Sequence, residues 1–353
     1  MRRFCISHSR TAEIFKLSRH FDISIFTFHA QTFRVLGSLK WAPTCFLSRD
    51  DLLVFEDLKM GSYQTLPKQV DPNINHIKMA LTSLAAFHAS NIIYERLELR
   101  PKGSSIGDMH KDMLFESSYA IDNPWCMTGV RALKTVALHK TKYGIGSCYE
   151  QVIEENFFVK ACEIFKRLDS IESPIPRVCC HRDLWKNNLM YQFTNDDFDK
   201  PSHCLLIDYQ ICRYLPLTVD VIICILLPSR DHSNADECLR FYFEALSSEL
   251  KLRNINIKDL MSWNDFLASC ENFKLLPLLQ QGLFWSLTNL PDGVLSNLLA
   301  NNEREYIKIC NEDRSQIVLE FMEKDEYYRE TMVETVERLI EYLFVDGGKI
   351  AEK

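Results

Sequence analysis

No stretch of the 353 residues reaches the roughly 18 consecutive apolar positions that a membrane span needs. The apolar segment Val219-Asp220-Val221-Ile222-Ile223-Cys224-Ile225-Leu226-Leu227 is too short, ends at Pro228 and reads as a core helix. Positive charge is not in excess. Lys and Arg number 41 against 48 Asp and Glu, a net charge of −7. That balance gives no electrostatic case for a nucleic-acid partner and argues against a membrane-surface role. Cys-x-x-Cys is absent among the 13 cysteines, so a zinc site is not expected. The scattered thiols read as the reduced cysteines of a cytoplasmic protein. Repeats and low-complexity tracts are absent. The basic opening Met1-Arg2-Arg3-Phe4-Cys5 is not followed by a clear apolar signal region. At 46% hydrophobic and 25% charged residues, the composition is that of an ordinary globular chain.

One stretch stands out against this background. His181-Arg182-Asp183-Leu184-Trp185-Lys186-Asn187-Asn188 is followed by Leu205-Leu206-Ile207 and then Asp208-Tyr209-Gln210. The apolar triplet reads as a short buried strand that delivers Asp208 at its end. Leu189-Met190-Tyr191-Gln192-Phe193 reads as its hairpin partner. An Asp, an Asn five positions on and a second Asp then meet at a strand-and-loop mouth. Phosphoryl transfer from ATP needs those groups: one carboxylate orients the attacking hydroxyl, while an amide oxygen and another carboxylate hold Mg²⁺ against the phosphates. Asp183 is the candidate catalytic base, and Asn188 and Asp208 are the candidate metal ligands.

His181-x-Asp183-x-x-x-x-Asn188 also fits the protein kinase pattern, but Asp-Phe-Gly and Ala-Pro-Glu are missing. Asp183-Leu184-Trp185-Lys186-Asn187-Asn188 with Asp208-Tyr209-Gln210 resembles the insect ecdysteroid kinase-like family. That family lies in the aminoglycoside and choline phosphotransferase branch of the protein kinase-like fold. Phe55-Glu56-Asp57-Leu58, Leu84-Ala85-Ala86-Phe87-His88-Ala89 and Asp220 extend the likeness from about Trp41 to about Asp220. The resemblance implies a two-lobed α+β fold with a mostly helical C-terminal lobe. Residues 1–58 are then a truncated N-terminal nucleotide-binding lobe up to the hinge. Residues 59–353 are the catalytic lobe, with a substrate-binding insert at about 100–150. The resemblance also implies ATP and Mg²⁺, a small-molecule alcohol such as an ecdysteroid, and adenine contacts at Glu56, Asp57 and Leu58. Asp220 would anchor the catalytic loop, and His181 would brace it. Lys186 falls near the transferred phosphate or stands in solvent. Trp125, Met127 and Phe115 either line the acceptor pocket or belong to the core.

The remaining segments carry ordinary expectations. Pro43–Ser48 and Asp51–Phe55 read as two strands about a turn at Arg49-Asp50. A helix is expected over His76–Ser90, with His88 as a hydrogen-bonded core histidine. Residues 100–150, with Gly103, Gly107, Pro124, Gly129, Gly144 and Gly146 among them, read as irregular. Helices are expected over Glu154–Leu168, Ala235–Leu250, Leu275–Thr288 and Tyr328–Phe344, the last stopped by Gly347. Glu320, Glu323, Asp325 and Glu326 read as a solvated face. Cys179-Cys180-His181 reads as buried strand cysteines entering the loop rather than as a metal or thiol site.

Two functional readings follow. The first is a phosphotransferase. The second is a pseudokinase or truncated fragment acting as a binding module, because only Gly37 precedes the hinge and Ser24 stands where the family's helix Glu belongs. Lys16 and Lys40 do not sit in a Val-Ala-Ile-Lys-like strand, and the spacing of Glu13 and Asp22 does not let them substitute for the Glu. A hydrolase is set aside for want of a nucleophile elbow and a Cys/His pairing.

Overall fold

The computed structural model describes residues 40–49, 52–68, 70–111, 118–168, 173–194 and 197–345. Its character is mixed α and β, with helices dominating, as the sequence leads one to expect. Gly37, Ser24, Lys16, Glu13, Asp22, Phe115 and Gly347 all lie outside the described residues. By internal contacts the chain forms two compact units. One comprises His8–Glu116 and Glu172–Lys274. The other comprises Met1–Ser7, Ser117–Ile171 and Leu275–Lys353. No described helix is long and apolar enough to cross a membrane.

Among the described residues the first unit holds six strands, paired two by two and all antiparallel. β1 (Cys45–Arg49) pairs with β2 (Leu52–Phe55), β3 (Arg177–Cys180) with β6 (Arg213–Pro216), and β4 (Leu189–Phe193) with β5 (Pro201–Leu206). Arg49 is the last residue of β1 and pairs with Leu52, where a turn residue was expected. The β4–β5 hairpin forms as the two apolar runs lead one to expect, but β5 starts four residues earlier than the expected Leu205–Ile207 and ends at Leu206, one residue short of it. Leu189 and Tyr191 point inward from β4, opposite the fully buried Leu206 and Cys204 of β5.

The organising helix of this unit runs Ile74–Tyr94, two residues earlier and four later than expected. The early start comes from Asn73, whose side-chain oxygen accepts from the backbone N–H of Asn75 at 2.9 Å and of His76 at 3.2 Å. The late end comes from burial, since Asn91, Ile92 and Ile93 are also inside. Ala80, Ala85, Ala86 and Ala89 are buried and let the helix Ala235–Lys251 and β5 approach closely. Leu81, Leu84 and Phe87 are sealed from solvent, each contributing about 1.5–3 kcal/mol. Thr218–Leu226 is the expected core helix, and every one of its residues is buried.

A small polar network braces β6. Tyr214 Oη donates to Glu95 Oε2 at 2.7 Å, and the same oxygen accepts from Ile106 N at 3.2 Å. The Tyr214 ring packs against Gly107, where an added Cβ would sit 2.5 Å from Cδ1. Gly107→Ala must therefore push the ring off Glu95. We expect a loss of about 1–3 kcal/mol in denaturant melts. Stability equal to wild type would show that the ring yields without losing its bond.

The second unit corrects the expectation of irregularity across 100–150. Pro124–Lys140 is a continuous helix. Asn123 caps it by accepting from Cys126 N at 3.2 Å, and Pro124 takes the first helical position, where its missing N–H costs nothing. Gly129 lies inside this helix rather than breaking it. A Cβ there would come 2.5 Å from Leu283 Cδ2, so the glycine serves close packing against the helix Leu275–Thr288. The other helices include Glu150–Lys166, Ser315–Lys324 and Glu326–Ile340. Arg314 is fully buried at their centre. Its guanidinium donates to the carbonyls of Trp125 (2.7 Å) and Leu283 (3.3 Å) and lies 4.9 Å from the Trp125 ring centroid. The acidic face behaves as expected: Glu320 pairs with Lys324, Glu323 with Lys140, and Asp325 caps the following helix.

Candidate functional site

β3 ends at Cys180 and leads straight into the loop His181–Asn188, whose shape is set from below. Asp220, fully buried near the start of the helix Thr218–Leu226, accepts from His181 N at 2.5 Å and from Arg182 N at 2.8 Å. With both amides held, Arg182 adopts φ of 69°, a left-handed conformation that a long side chain occupies only under external constraint. Its guanidinium donates to Ile211 O at 3.4 Å. His181 is buried, and that burial holds its imidazole down at about 4, hence neutral. Nε2–H donates to Ile207 O at 3.0 Å, while Nδ1 accepts from Asp183 N at 3.3 Å. The ring therefore ties the loop to the segment just before Asp208. Tyr209, sealed in a cluster with Trp41 and Phe87, packs 4.5 Å from the His181 ring.

Asp183 and Asn188 are brought together. Asn188 Nδ2 donates to Asp183 Oδ2 at 2.9 Å and to Asp183 O at 2.8 Å. A short 3₁₀ turn over Lys186–Asn188 sets this up. The amide nitrogen is thus spent, which leaves Asn188 Oδ1 as an acceptor directed elsewhere. Asp183 Oδ1 is buried with no hydrogen-bond partner. Burial, with Asp208 nearby, pushes the Asp183 carboxyl up to about 7, against the pull of Asn188. Asp208 joins the group from the end of β5 with φ of 68°, and Ile207 N donates to Asn188 O at 3.1 Å. Crowding by the surrounding protein raises its carboxyl as well. Its side chain nonetheless reaches solvent, so we take Asp208 as the ionised member of the pair. Asn188 Oδ1, Asp183 Oδ1 and the Asp208 carboxylate are all oxygen acceptors, and Gln210 Nε2 donates to Asp208 Oδ2 at 3.4 Å. That chemistry fits a hard divalent cation such as Mg²⁺.

Lys186 is not a solvated lysine. It is half-buried and donates through Nζ to Lys68 O. Burial lowers its pKa, partly offset by Asp71. Glu56 is pushed up by burial but held below its ordinary range by Lys40 and the Thr44 amide, which donates to Oε1 at 2.6 Å. Lys40 forms an ion pair with that same oxygen. Asp57 Oδ1 accepts from Lys59 N at 2.9 Å, and Leu58 O accepts from Tyr63 N at 2.9 Å. The segment after these residues is stitched to the β4–β5 hairpin: Gln64 and Tyr191 exchange both backbone bonds at 2.8 and 2.9 Å. Glu56, Asp57 and Leu58 thus belong to the same unit as the loop. Trp125 and Met127 lie in the other unit. There Trp125 packs 5.6 Å from Phe284, and Met127 is buried.

His88, Cys180 and Asp220 bring an imidazole, a thiol and a carboxylate within 4.8 Å of one another beneath the loop. Their capacity is already engaged. His88 Nδ1 meets Tyr242 Oη at 2.6 Å, its Nε2 meets Asp220 at 3.2 Å, and Cys180 Sγ faces the Leu215 and Pro216 carbonyls. Cys179 and Cys180 are buried strand residues, and His88 is a hydrogen-bonded core histidine, both as expected. Sequence reasoning missed Tyr242 and the aromatic packing around Tyr209. Tyr242 lies 154 positions from its partner, and nothing in local periodicity signals that contact. It also passed over Gly103-Ser104-Ser105-Ile106-Gly107, which has the spelling of a nucleophile elbow. Ser105 there caps the short helix Ile106–Met109, bonding Asp108, and no described strand leads into it.

A loop of this form, with an Asn and two Asp at the mouth of a hairpin, marks the kinase-like phosphotransferases. The family model for the ecdysteroid kinase-like family matches residues 27–255, more than half of the chain. The chain belongs to the ecdysteroid kinase-like family, and membership supports a small-molecule phosphotransferase. None of the curated proteins matches it. Among solved structures, an ethanolamine kinase from Plasmodium vivax aligns with a TM-score of 0.37 and 13% identity, over 89% of this chain and 73% of that chain.

Proposed function

We propose that this chain is an ATP- and Mg²⁺-dependent phosphotransferase that acts on a hydroxyl group of a small apolar alcohol, of the ecdysteroid type. The reading is supported above all by the position of Asn188, whose nitrogen is taken by Asp183 and whose oxygen is left to join Asp208. Asp183 accepts the proton of the acceptor hydroxyl as its oxygen forms the new bond to phosphorus and the bond to ADP breaks. A carboxyl near 7 suits that task at neutral pH. Because such transition states are loose, holding the hydroxyl in line matters more than base strength. Asn188 and Asp208 would hold Mg²⁺, which when bound neutralises charge on the phosphate oxygens. The backbone at Glu56, Asp57 and Leu58 would meet the adenine. In the family's terms, residues 1–58 end the nucleotide-binding lobe and residues 59–353 form the catalytic lobe, with the acceptor insert at 100–150. The cysteines among the described residues are free thiols, which suits a cytoplasmic setting. We propose neither a nucleic-acid nor a membrane partner.

Incubation with ATP, Mg²⁺ and a panel of ecdysteroids and plain apolar alcohols tests the reading by mass spectrometry. A product one phosphate heavier is expected from at least one acceptor. No phosphorylated product from any acceptor, with a folded protein, would favour a binding module instead.

A further inference from the structure

The Tyr242 hydroxyl lies outside every motif, yet it ends a buried chain of hydrogen bonds that leads to Asp183. Tyr242 sits in the helix Ala235–Lys251 and is sealed from solvent, as are His88 and Asp220. Burial pushes its phenol well above the ordinary value, so the hydroxyl keeps its proton. That proton needs an acceptor, and His88 Nδ1 lies 2.6 Å away. With Nδ1 accepting from Tyr242, the ring proton sits on Nε2, which faces Asp220 Oδ2 at 3.2 Å. The opposite tautomer would set a ring lone pair against a carboxylate oxygen, acceptor against acceptor, inside a dry interior. Asp220 in turn receives the amides of His181 and Arg182, respectively two positions and one position before Asp183.

We propose that Tyr242 is a positioning residue for the loop His181–Asn188: it fixes the tautomer and orientation of His88, which holds Asp220, which holds the two amides that aim Asp183. The kinetic part of this proposal rests on the phosphotransferase reading, while the structural part does not. Tyr242→Phe removes one hydroxyl and keeps the ring, which stacks on Phe266 at 6.0 Å and meets the His88 ring edge-on at 5.9 Å.

Hydrogen exchange and histidine NMR test the chain directly. In the wild type, His88 should show a protonated Nε2 and a lone-pair Nδ1, and a proton on Nδ1 overturns the proposal. In Tyr242→Phe, the amides of His181 and Arg182 should exchange about tenfold faster, the scale of one hydrogen bond. The middle of the helix Ile74–Tyr94 should be unchanged. In a His88→Gln background, where the amide can meet Asp220 without help from Tyr242, the same substitution should add nothing. Unchanged exchange at the two amides, or equal acceleration in both backgrounds, overturns the proposal. In turnover, Tyr242→Phe should lower kcat about tenfold and leave KM for ATP within about twofold. A rise in KM with kcat intact overturns the positioning role. Absence of wild-type turnover would defeat the phosphotransferase reading alone, since exchange and tautomer still decide the chain of bonds.

Discussion

Asp183→Asn is expected to abolish phosphoryl transfer and at the same time to stabilise the fold at alkaline pH. The native Asp183 carboxyl is lifted from 3.8 to about 7 by burial beside Asp208. A carboxyl with a raised native pKa binds its proton more tightly when folded than when unfolded. The wild type therefore loses stability as pH rises from about 4 towards 7, and the loss is complete above 7. Its ceiling is on the order of 4 kcal/mol. Asparagine carries no charge at any pH, and its oxygen can still accept from Asn188 Nδ2, as Oδ2 does now. Thermal melts without divalent cation should place Asp183→Asn above the wild type at pH 8, with the gap narrowing steadily towards pH 4. Turnover should fall by about 10²–10⁴-fold, the usual worth of a positioned general base. A variant that melts below the wild type at pH 8 would show that Asp183 is not held against its charge. Unchanged turnover would remove it from the chemistry.

Asp220→Ala should produce the largest loss of stability in the molecule. The carboxylate is sealed from solvent and receives three donors, the amides of His181 and Arg182 and His88 Nε2. Each stranded buried donor costs about 1–3 kcal/mol, and removing one partner of a buried charged network typically costs about 3–5 kcal/mol. Much of the stability of an ordinary domain would go. The left-handed Arg182 adds to this, because the same carboxylate holds it there. Asp220→Asn keeps one acceptor oxygen but turns an amide towards a donor, so it should fall between wild type and alanine. Denaturant melts would rank the three proteins. An alanine variant within about 1 kcal/mol of wild type would mean the loop is held by something else.

The hairpin that carries the site was legible because each of its strands contains a short apolar run, although the second strand begins four residues before the run that marked it. Leu189–Phe193 fell on its observed limits, and the helix Leu275–Thr288 did likewise. The Asp183–Asn188 contact was legible from spacing, since five residues of loop suffice to bring one side chain onto the other. Asp220 was named only through the family resemblance. Its contacts join the chain across 38 and 39 positions, and no periodicity reports them. Tyr242 was invisible for the same reason. Pro124–Lys140 was misread because Gly129 was weighed as a breaker, when its lack of a side chain answers to Leu283 on a neighbouring helix. Lys186 was read as a choice between solvent and phosphate, and the carbonyl it meets instead belongs to Lys68, far away in sequence.

The central claim is that Asn188 and Asp208 hold a metal against a nucleotide. A thermal-shift titration with ATP, run with and without Mg²⁺ on the wild type and on Asp208→Asn, tests it most directly. A ligand that binds only the native state stabilises it by about 2.7 kcal/mol at one hundred times its Kd. The account predicts a wild-type shift that grows with the logarithm of ATP concentration, needs Mg²⁺ and is lost in Asp208→Asn. No shift at millimolar ATP, or a shift indifferent to both Mg²⁺ and the substitution, would contradict it.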